Sequence, residues 1–252
     1  MVSKTFVSLA FFVLLFEVRK KIARMRKSST SALLVHQKNV YSPVEIEISN
    51  KKIRLDVTLP PDAIEPIFSG AAWAGTIVWP AAISLSQYLQ RFQEICKEKV
   101  VLELGSGLGL PGIVAGTLGA KKVYLTEQPP LDDLLRQNLR NLLELDNSYV
   151  YNVQVLDWES PIAEIYDKID VILISDCIYE GLYGESWKAL AKVINKYLTE
   201  NTIVLNSLER RKEDGIDKFF KFCLQNYGIH NTQVLTEALD DGHVIQLYQM
   251  FR

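Results

Sequence analysis

Three glycines at alternate positions mark the stretch of this sequence that is best suited to binding a ligand. Gly105, Gly107 and Gly109 follow a short apolar run, residues 100–104, whose one acid is Glu103. Such a run predicts a strand that is buried on both faces, and glycine allows the backbone after it to approach a ligand closely. A helix that starts there would point unsatisfied N–H groups at the ligand. The pattern predicts a nucleotide-type site.

The residues around the glycines favour one kind of nucleotide. A dinucleotide fingerprint would need glycine at position 110, where the sequence has Leu110, and no P-loop pattern occurs. Glu127 ends the next expected strand, where an acid can bind ribose hydroxyls. Asp157 and Trp158 follow the strand after that and could hold the edge and the face of an adenine. The sequence thus offers groups that can bind ribose and adenine but no pattern that would bind a pyrophosphate. This combination favours S-adenosylmethionine over NAD.

Further polar residues follow later strands. Asp176 comes directly after the aliphatic run 171–174, and because ligands of α/β proteins bind at the carboxyl ends of strands, we expect it at the ligand site rather than merely in solvent. Cys177 has no histidine close by in sequence to activate it, so a nucleophilic thiol is not expected. Residues 209–211 (Glu-Arg-Arg) could contact substrate or form a solvated charged run, and the sequence leaves both interpretations open.

The order of the predicted elements indicates an α/β protein. From residue 100 onward, apolar runs alternate with helical patterns, which predicts a doubly wound, mostly parallel, Rossmann-like sheet. The last two strands are separated only by a turn and should form an antiparallel closing hairpin. An N-terminal β-hairpin is predicted over residues 44–57, and a helix from Pro80 to about Cys96. The later strands are predicted at residues 123–126, 153–156, 171–174, 203–205, 233–235 and 244–249, and the later helices at residues 131–145, 187–198 and 216–227.

The first 30 residues differ in composition from the rest of the 252-residue chain. They contain seven basic residues and one acid, whereas the whole chain has a net charge of −2, so the remainder is acidic. An acidic body favours a basic protein partner and argues against nucleic acid. Residues 5–16 are apolar but too few to cross a bilayer, for which about 20 are needed. We prefer an extension without a membrane role, and membrane contact through residues 5–27 is the alternative.

Cysteine and histidine add no metal or disulfide signal. The three cysteines and three histidines are widely scattered, which fits neither a disulfide framework nor a metal site. We therefore expect no metal and a reducing, cytoplasmic location.

Several motifs together resemble a known family. In chain order they occur at residues 75–82 (Gly-Thr-Ile-Val-Trp-Pro-Ala-Ala), 102–112, 127, 157–158 and 175–179 (Ser-Asp-Cys-Ile-Tyr). This combination resembles the seven-stranded class I methyltransferases and, more narrowly, methyltransferase family 16, which contains the non-histone protein lysine methyltransferases. The resemblance covers about residues 70–210.

The resemblance implies S-adenosyl-L-methionine as cofactor and assigns residues to it. Asp176 and Tyr179 correspond to the family's Asp-x-x-Tyr, where they would orient and contact the acceptor nitrogen, and are assigned to catalysis. Glu127 stands where many relatives have aspartate, a longer side chain with the same function. The sequence has no [DN]-P-P-[YFW], so methylation of DNA bases or glutamine is not expected. The cofactor-binding set is Trp79, Glu103, Gly105, Ser106, Gly107, Glu127, Asp157, Trp158 and Ser175.

The predicted function is transfer of a methyl group to a lysine side chain of a non-histone protein. The alternatives are an arginine or small-molecule methyltransferase of the same fold, a catalytically silent cofactor-binding subunit and, last, a nicotinamide oxidoreductase. The predicted organisation is an extension over residues 1–30, a hairpin region over residues 31–70 and a methyltransferase domain over residues 71–252. We expect a monomer with a basic or lysine-presenting protein substrate.

Overall fold

The computed structural model describes most of the chain beyond its N-terminal segment. Residues Ala32–Arg252 form one compact unit. The apolar and basic stretch of residues 5–27 lies outside the described residues, as does the turn predicted between the last two strands. The described residues are 34–36, 43–48, 51–56, 74–129, 131–145, 151–160, 164–238 and 244–252.

Strands and helices alternate along the described chain. The strands are β1 (Leu34–His36), β2 (Val44–Ile48), β3 (Lys51–Leu55), β4 (Val100–Leu104), β5 (Lys122–Glu127), β6 (Tyr151–Val155), β7 (Val171–Ser175), β8 (Ile203–Glu209), β9 (His230–Ala238) and β10 (Val244–Phe251). The helices are α1 (Pro80–Arg91), α2 (Leu110–Thr117), α3 (Leu131–Leu145), α4 (Glu180–Tyr183), α5 (Trp187–Tyr197) and α6 (Ile216–Tyr227), with a 3-10 turn at Gln93–Ile95 after α1.

A seven-stranded sheet carries the functional part of the molecule. Its strand order is β6-β5-β4-β7-β8-β10-β9. The strands from β6 to β8 are parallel, whereas β10 pairs antiparallel with both β8 and β9. The chain order reverses at β4, which lies between β5 and β7, and ligands of such sheets bind outside the carboxyl ends of the strands at this point. The predicted doubly wound sheet with a closing hairpin is confirmed.

Helices cover both faces of this sheet, so its central strands are buried on both sides. In β4, Val101 packs into an apolar cluster with residues of α1, α2 and α3. Its neighbours Leu102 and Leu104 point the other way, into a cluster with residues of α5 and α6. The alternation follows from the period of two along a strand. It places Glu103, the acid of this strand, on the same side as α2.

The N-terminal strands form a small antiparallel sheet of their own. The predicted hairpin over residues 44–57 is confirmed as β2 and β3, and β1, which was not predicted, pairs with β2. Hydrophobic residues of β2 and β3 join the cluster that contains α3. The Asp56 N–H donates to Asn138 Oδ1 at 2.8 Å, which joins the end of β3 to α3.

Several other elements differ in extent from the predictions or were not predicted. Helix α1 ends at Arg91 because Phe92 leaves the helical region, with φ −123° and ψ 58°. Strand β8 continues to Glu209 through the buried polar residues Asn206 and Ser207, which an apolar pattern does not reveal. The short helix α4 was not predicted. In the part of the chain that is described, no helix combines the length and hydrophobicity needed to cross a membrane.

Candidate active site

A cavity of about 350 Å³ opens at the carboxyl ends of β4, β5 and β7. This volume lies within the range of small-molecule sites. Asp176 lines the cavity, together with eight of the nine residues assigned to cofactor binding. Of the assigned residues, Glu103 and Tyr179 are not part of its wall. The eight are Trp79, Gly105, Ser106, Gly107, Glu127, Asp157, Trp158 and Ser175.

The glycine turn has a backbone that other residues rarely adopt. Gly105 and Gly107 have φ of +64° and +52°, in the left-handed region. A Cβ on Gly105 would lie 2.7 Å from Cys177 Sγ and 3.1 Å from Trp158 Cζ2, so the backbone there is in close contact with both side chains. Ser106 holds the turn to β5, since its hydroxyl accepts the N–H of Thr126 at 3.0 Å.

Glu127 joins the end of β5 to the glycine turn. Its carboxylate accepts the N–H of Gly107 at 2.9 Å and the N–H of Gln128 at 2.8 Å. Each carboxylate oxygen keeps acceptor capacity, which two ribose hydroxyls could use. Burial raises the pKa of Glu127 to about 6, and the two N–H donors oppose that rise. At pH 7 the side chain is therefore mainly ionised.

Two tryptophans contribute aromatic walls to the cavity. Trp158 packs on Gly105 at one side, and Asp157 fixes the bend that carries it by accepting the Glu159 N–H at 3.0 Å. Trp79 precedes α1, and its indole N–H donates to the carbonyl of Ala74 at 2.8 Å. Aromatic surfaces of this kind suit an adenine ring and a methyl-bearing sulfur.

The acid at the end of β7 is bound by an arginine. Asp176 has φ +54° and is 6% exposed. Arg211 binds its two carboxylate oxygens at 3.0 and 2.6 Å and also binds Glu209 at 2.7 Å. Burial raises the pKa of Asp176, and Arg211 opposes the rise. The interpretation of residues 209–211 as a solvated charged run is wrong for Glu209 and Arg211.

Two tyrosines flank this acid in different ways. The Tyr179 ring lies against Arg211, whose guanidinium carbon is 5.1 Å from the centroid of the ring. Tyr183, one helical turn later, lines the cavity and was missed by the sequence analysis. The spacing of four residues from Tyr179 is the signal that could have identified it. Burial raises the pKa of Tyr183, so it stays a phenol and can donate a hydrogen bond.

Glu103 lies behind the cavity rather than in its wall. It is fully buried, and its Oε2 accepts the N–H of Gly112 at 3.1 Å, which holds the first turn of α2 against β4. Its Oε1 has no hydrogen-bond partner among the described residues. Burial raises the pKa of Glu103 to about 8. Glu103 is therefore mainly protonated at neutral pH and positions the glycine turn from behind.

A family model described as lysine methyltransferase matches residues 69–226, more than half of the chain and all of the cavity's strands. The chain belongs to this lysine methyltransferase family. The secreted RxLR effector protein 48 of Plasmopara viticola is 36% identical over 158 residues, which cover 57% of this chain and 78% of that protein.

Two further relatives carry names that describe an activity. The protein N-lysine methyltransferase METTL21A of Danio rerio is 32% identical over 170 residues, which cover 67% of this chain and 74% of that protein. The histone-arginine methyltransferase METTL23 of Xenopus laevis is 38% identical over 108 residues, which cover 42% of this chain and 45% of that protein.

S-adenosylmethionine is the cofactor of this family, and the cavity fits it. Four carboxylates line the cavity, from Glu127, Asp157, Glu159 and Asp176, whereas no lysine or arginine does so among the described residues. A lining of this charge suits a ligand with a cationic sulfonium and disfavours a pyrophosphate. Glu127 would hold the ribose, and Trp158 would contact the adenine.

We expect Glu127→Ala to weaken S-adenosylmethionine binding about tenfold or more, because hydrogen bonds to a charged group contribute about 1.5–3 kcal/mol. In the wild type, affinity should also fall as the pH drops through about 6, the pKa of this carboxyl, whereas Glu127→Gln should lack this dependence. Isothermal titration calorimetry between pH 5 and 8 measures both effects. Glu200→Gln, at an exposed acid, is the control, and unchanged affinity in Glu127→Ala would remove the ribose assignment.

We expect the stability of the wild type to fall, relative to Glu103→Gln, as the pH rises from about 5 to about 8. The folded state keeps the Glu103 proton up to a pKa of about 8, whereas the unfolded chain releases it near 4.5, so the stabilising contribution is present at low pH and is lost across this range. Urea unfolding at several pH values measures the difference. Parallel curves for the two proteins would contradict the raised pKa.

Proposed function

We propose that this protein transfers the methyl group of S-adenosyl-L-methionine to the side-chain amine of a lysine in a non-histone protein. The observation that carries the proposal is the cavity wall, which combines the buried acid Asp176 with the aromatic rings of Trp79 and Tyr183. Membership of the lysine methyltransferase family supports it. The name of the Danio rerio relative, a protein N-lysine methyltransferase, supports the same acceptor.

The acceptor lysine must lose its proton before it can attack. A lysine in water is protonated at pH 7, and burial among aromatic rings lowers its pKa because the charged form is desolvated. The bound cofactor supplies an electrophilic methyl group on a positively charged sulfur. Asp176 accepts two hydrogen bonds at Oδ1 but one at Oδ2, so Oδ2 keeps acceptor capacity for the amine. Alignment of the nitrogen provides most of the rate acceleration.

Arginine is the main alternative acceptor, since one relative is named a histone-arginine methyltransferase. A guanidinium acceptor needs free carboxylates that clamp it in a fork. The acid pair beside the cavity, Asp176 and Glu209, is already bound by Arg211. A second guanidinium there would also meet the charge of Arg211. This arrangement favours lysine, whose amine can arrive neutral.

The charge of the chain supports a basic protein substrate. The region after residue 30 is acidic, and the cavity is lined by carboxylates, so a lysine-presenting segment would be attracted to it. Other features stay predictions from the sequence. They are the monomeric state, the cytoplasmic location, the lack of nucleic-acid binding, the membrane alternative for residues 5–27 and the domain boundaries near residues 30 and 70.

Labelling of a lysate tests the proposed reaction. The full chain is incubated with cell lysate and with cofactor that is labelled on its methyl group. The labelled proteins are then digested to peptides, and the methylated residues are mapped by mass spectrometry. We expect methyllysine in one or a few non-histone proteins. Methylarginine, or label only in small molecules, would replace the proposed acceptor. Cofactor binding without any transfer would indicate a silent binding subunit.

We expect Asp176→Asn to reduce transfer about 100-fold or more, because a misplaced acceptor nitrogen loses most of the advantage of alignment. Cofactor affinity should stay within a few-fold, since Glu127 and the glycine turn are unchanged. Label transfer and calorimetry measure the two effects separately. If Asp176→Asn lost cofactor binding instead, Asp176 would belong to the binding set rather than to catalysis.

A further inference from the structure

Arg211 connects segments that lie far apart in the sequence. It follows the end of β8, and its guanidinium reaches Asp176 at the end of β7, 35 residues earlier, through two parallel hydrogen bonds. It also bonds Glu209 at 2.7 Å. The guanidinium carbon lies 5.3 Å from the centroid of the Trp79 ring and 5.1 Å from that of Tyr179. One side chain therefore contacts four residues around the end of the cavity.

The burial of its partners holds this arginine in place. The side chains of Asp176 and Glu209 are 2% and 3% exposed, and that of Arg211 is 17% exposed. Withdrawal of Arg211 would remove the guanidinium that these two buried carboxylates share, which is strongly unfavourable. The planar guanidinium also matches a carboxylate as a fork, which a lysine cannot reproduce. Arg211 is thus a permanent part of the site.

The same contacts fix the orientation of Asp176. Its backbone is in the left-handed region, with φ +54°, which is uncommon for residues other than glycine. Four hydrogen bonds hold it there. Its own N–H donates to the carbonyl of Ser207 at 2.9 Å, the Glu209 N–H donates to its Oδ1 at 3.2 Å, and the Arg211 fork supplies the other two. Of these, the fork alone determines where both carboxylate oxygens point.

The charge of Arg211 matters for an amine at this place. Carboxylates near an amine favour its protonated form, and a neighbouring cation opposes this. The other charged residues of the surrounding elements are engaged: Glu180 bonds Lys218 and Trp187, and Asp214 accepts backbone N–H groups and pairs with Arg210. The titratable groups at this end of the cavity are Glu127, Asp176, Cys177, Tyr179, Tyr183 and Glu209.

We propose that Arg211 is a positioning residue for methyl transfer, which aims the Asp176 carboxylate and whose positive charge prevents the acidic site from holding the acceptor amine as an ammonium ion. This inference rests on the proposed function, because it concerns the amine that the site receives. Arg211 acts through Asp176 and through its field, without bonding the cofactor.

Two substitutions separate the geometry of Arg211 from its charge. Arg211→Met removes both, whereas Arg211→Lys keeps the charge and loses the fork. Lys212→Met is the matched control. The Lys212 side chain lies in the same loop and is 93% exposed, and the substitution removes the same charge as Arg211→Met. The probes are the labelled cofactor and total lysate protein, with methyllysine counted after hydrolysis from pH 6.5 to 10. Calorimetry measures cofactor affinity for each protein.

In Arg211→Met we expect transfer at pH 7.5 to fall about tenfold or more and the midpoint of the rising pH–rate limb to move upward by about half a pH unit or more. Arg211→Lys should lose rate with little change in midpoint. Lys212→Met should match the wild type in both, and cofactor affinity should stay within a few-fold throughout. A loss of packing alone would lower the rate without moving the midpoint, which would overturn the role of the charge.

The remaining outcomes are also informative. If Arg211→Met equals Lys212→Met in rate and midpoint, Arg211 has no positioning role. If the wild type labels no lysine, the proposed function itself fails. That result differs from a failure of the Arg211 inference, in which the wild type still labels lysine. Should Arg211→Met lose cofactor binding through misfolding, the double variant Arg211→Met with Glu209→Gln removes the charge of one of the two acids that Arg211 binds in the wild type. Wild-type transfer by that double variant would overturn the inference, and a tenfold loss would support it.

Discussion

The hydrogen bond between the Gly107 N–H and the Glu127 carboxylate is the interaction on which the site depends. It joins the turn after β4 to the end of β5, two strands whose parallel pairing brings their carboxyl ends to one edge of the sheet. The turn must be glycine because its φ is positive and because Trp158 and Cys177 lie against Gly105. One carboxylate thereby shapes the turn and keeps acceptor capacity that the hydroxyls of a bound ribose could use.

Buried acids surround this turn, and each is compensated in a different way. Glu103 is fully buried and keeps its proton at neutral pH. Glu127 is ionised and stabilised by two backbone N–H donors. Asp176 and Glu209 share one guanidinium. The cavity wall consequently carries negative charge without a basic side chain among the described residues, which suits a cationic cofactor and the neutral amine of the proposed acceptor.

Local patterns in the sequence were sufficient for most of the fold. Apolar runs identified the parallel strands because β4 and β7 are buried on both faces. Every side chain of these two strands is aliphatic except Glu103 in β4 and Ser175, the last residue of β7. The same logic failed where burial is polar: β8 runs on through Asn206 and Ser207 to Glu209. Site residues at strand ends could be expected together because the carboxyl ends of parallel strands meet at one edge of a sheet.

The sequence by itself determined the sheet and the glycine turn, because each of these follows from spacing along one strand or turn. Its resemblance to methyltransferase family 16 completed the set of residues assigned to cofactor binding, eight of which line the cavity. Only the tertiary structure decided the rest. Glu103 faces α2 and lies behind the wall, since the alternation along β4 turns it away from the ligand. Arg211 meets Asp176 across 35 residues, a contact that depends on how the ends of β7 and β8 are packed, and no local pattern of charges encodes that distance.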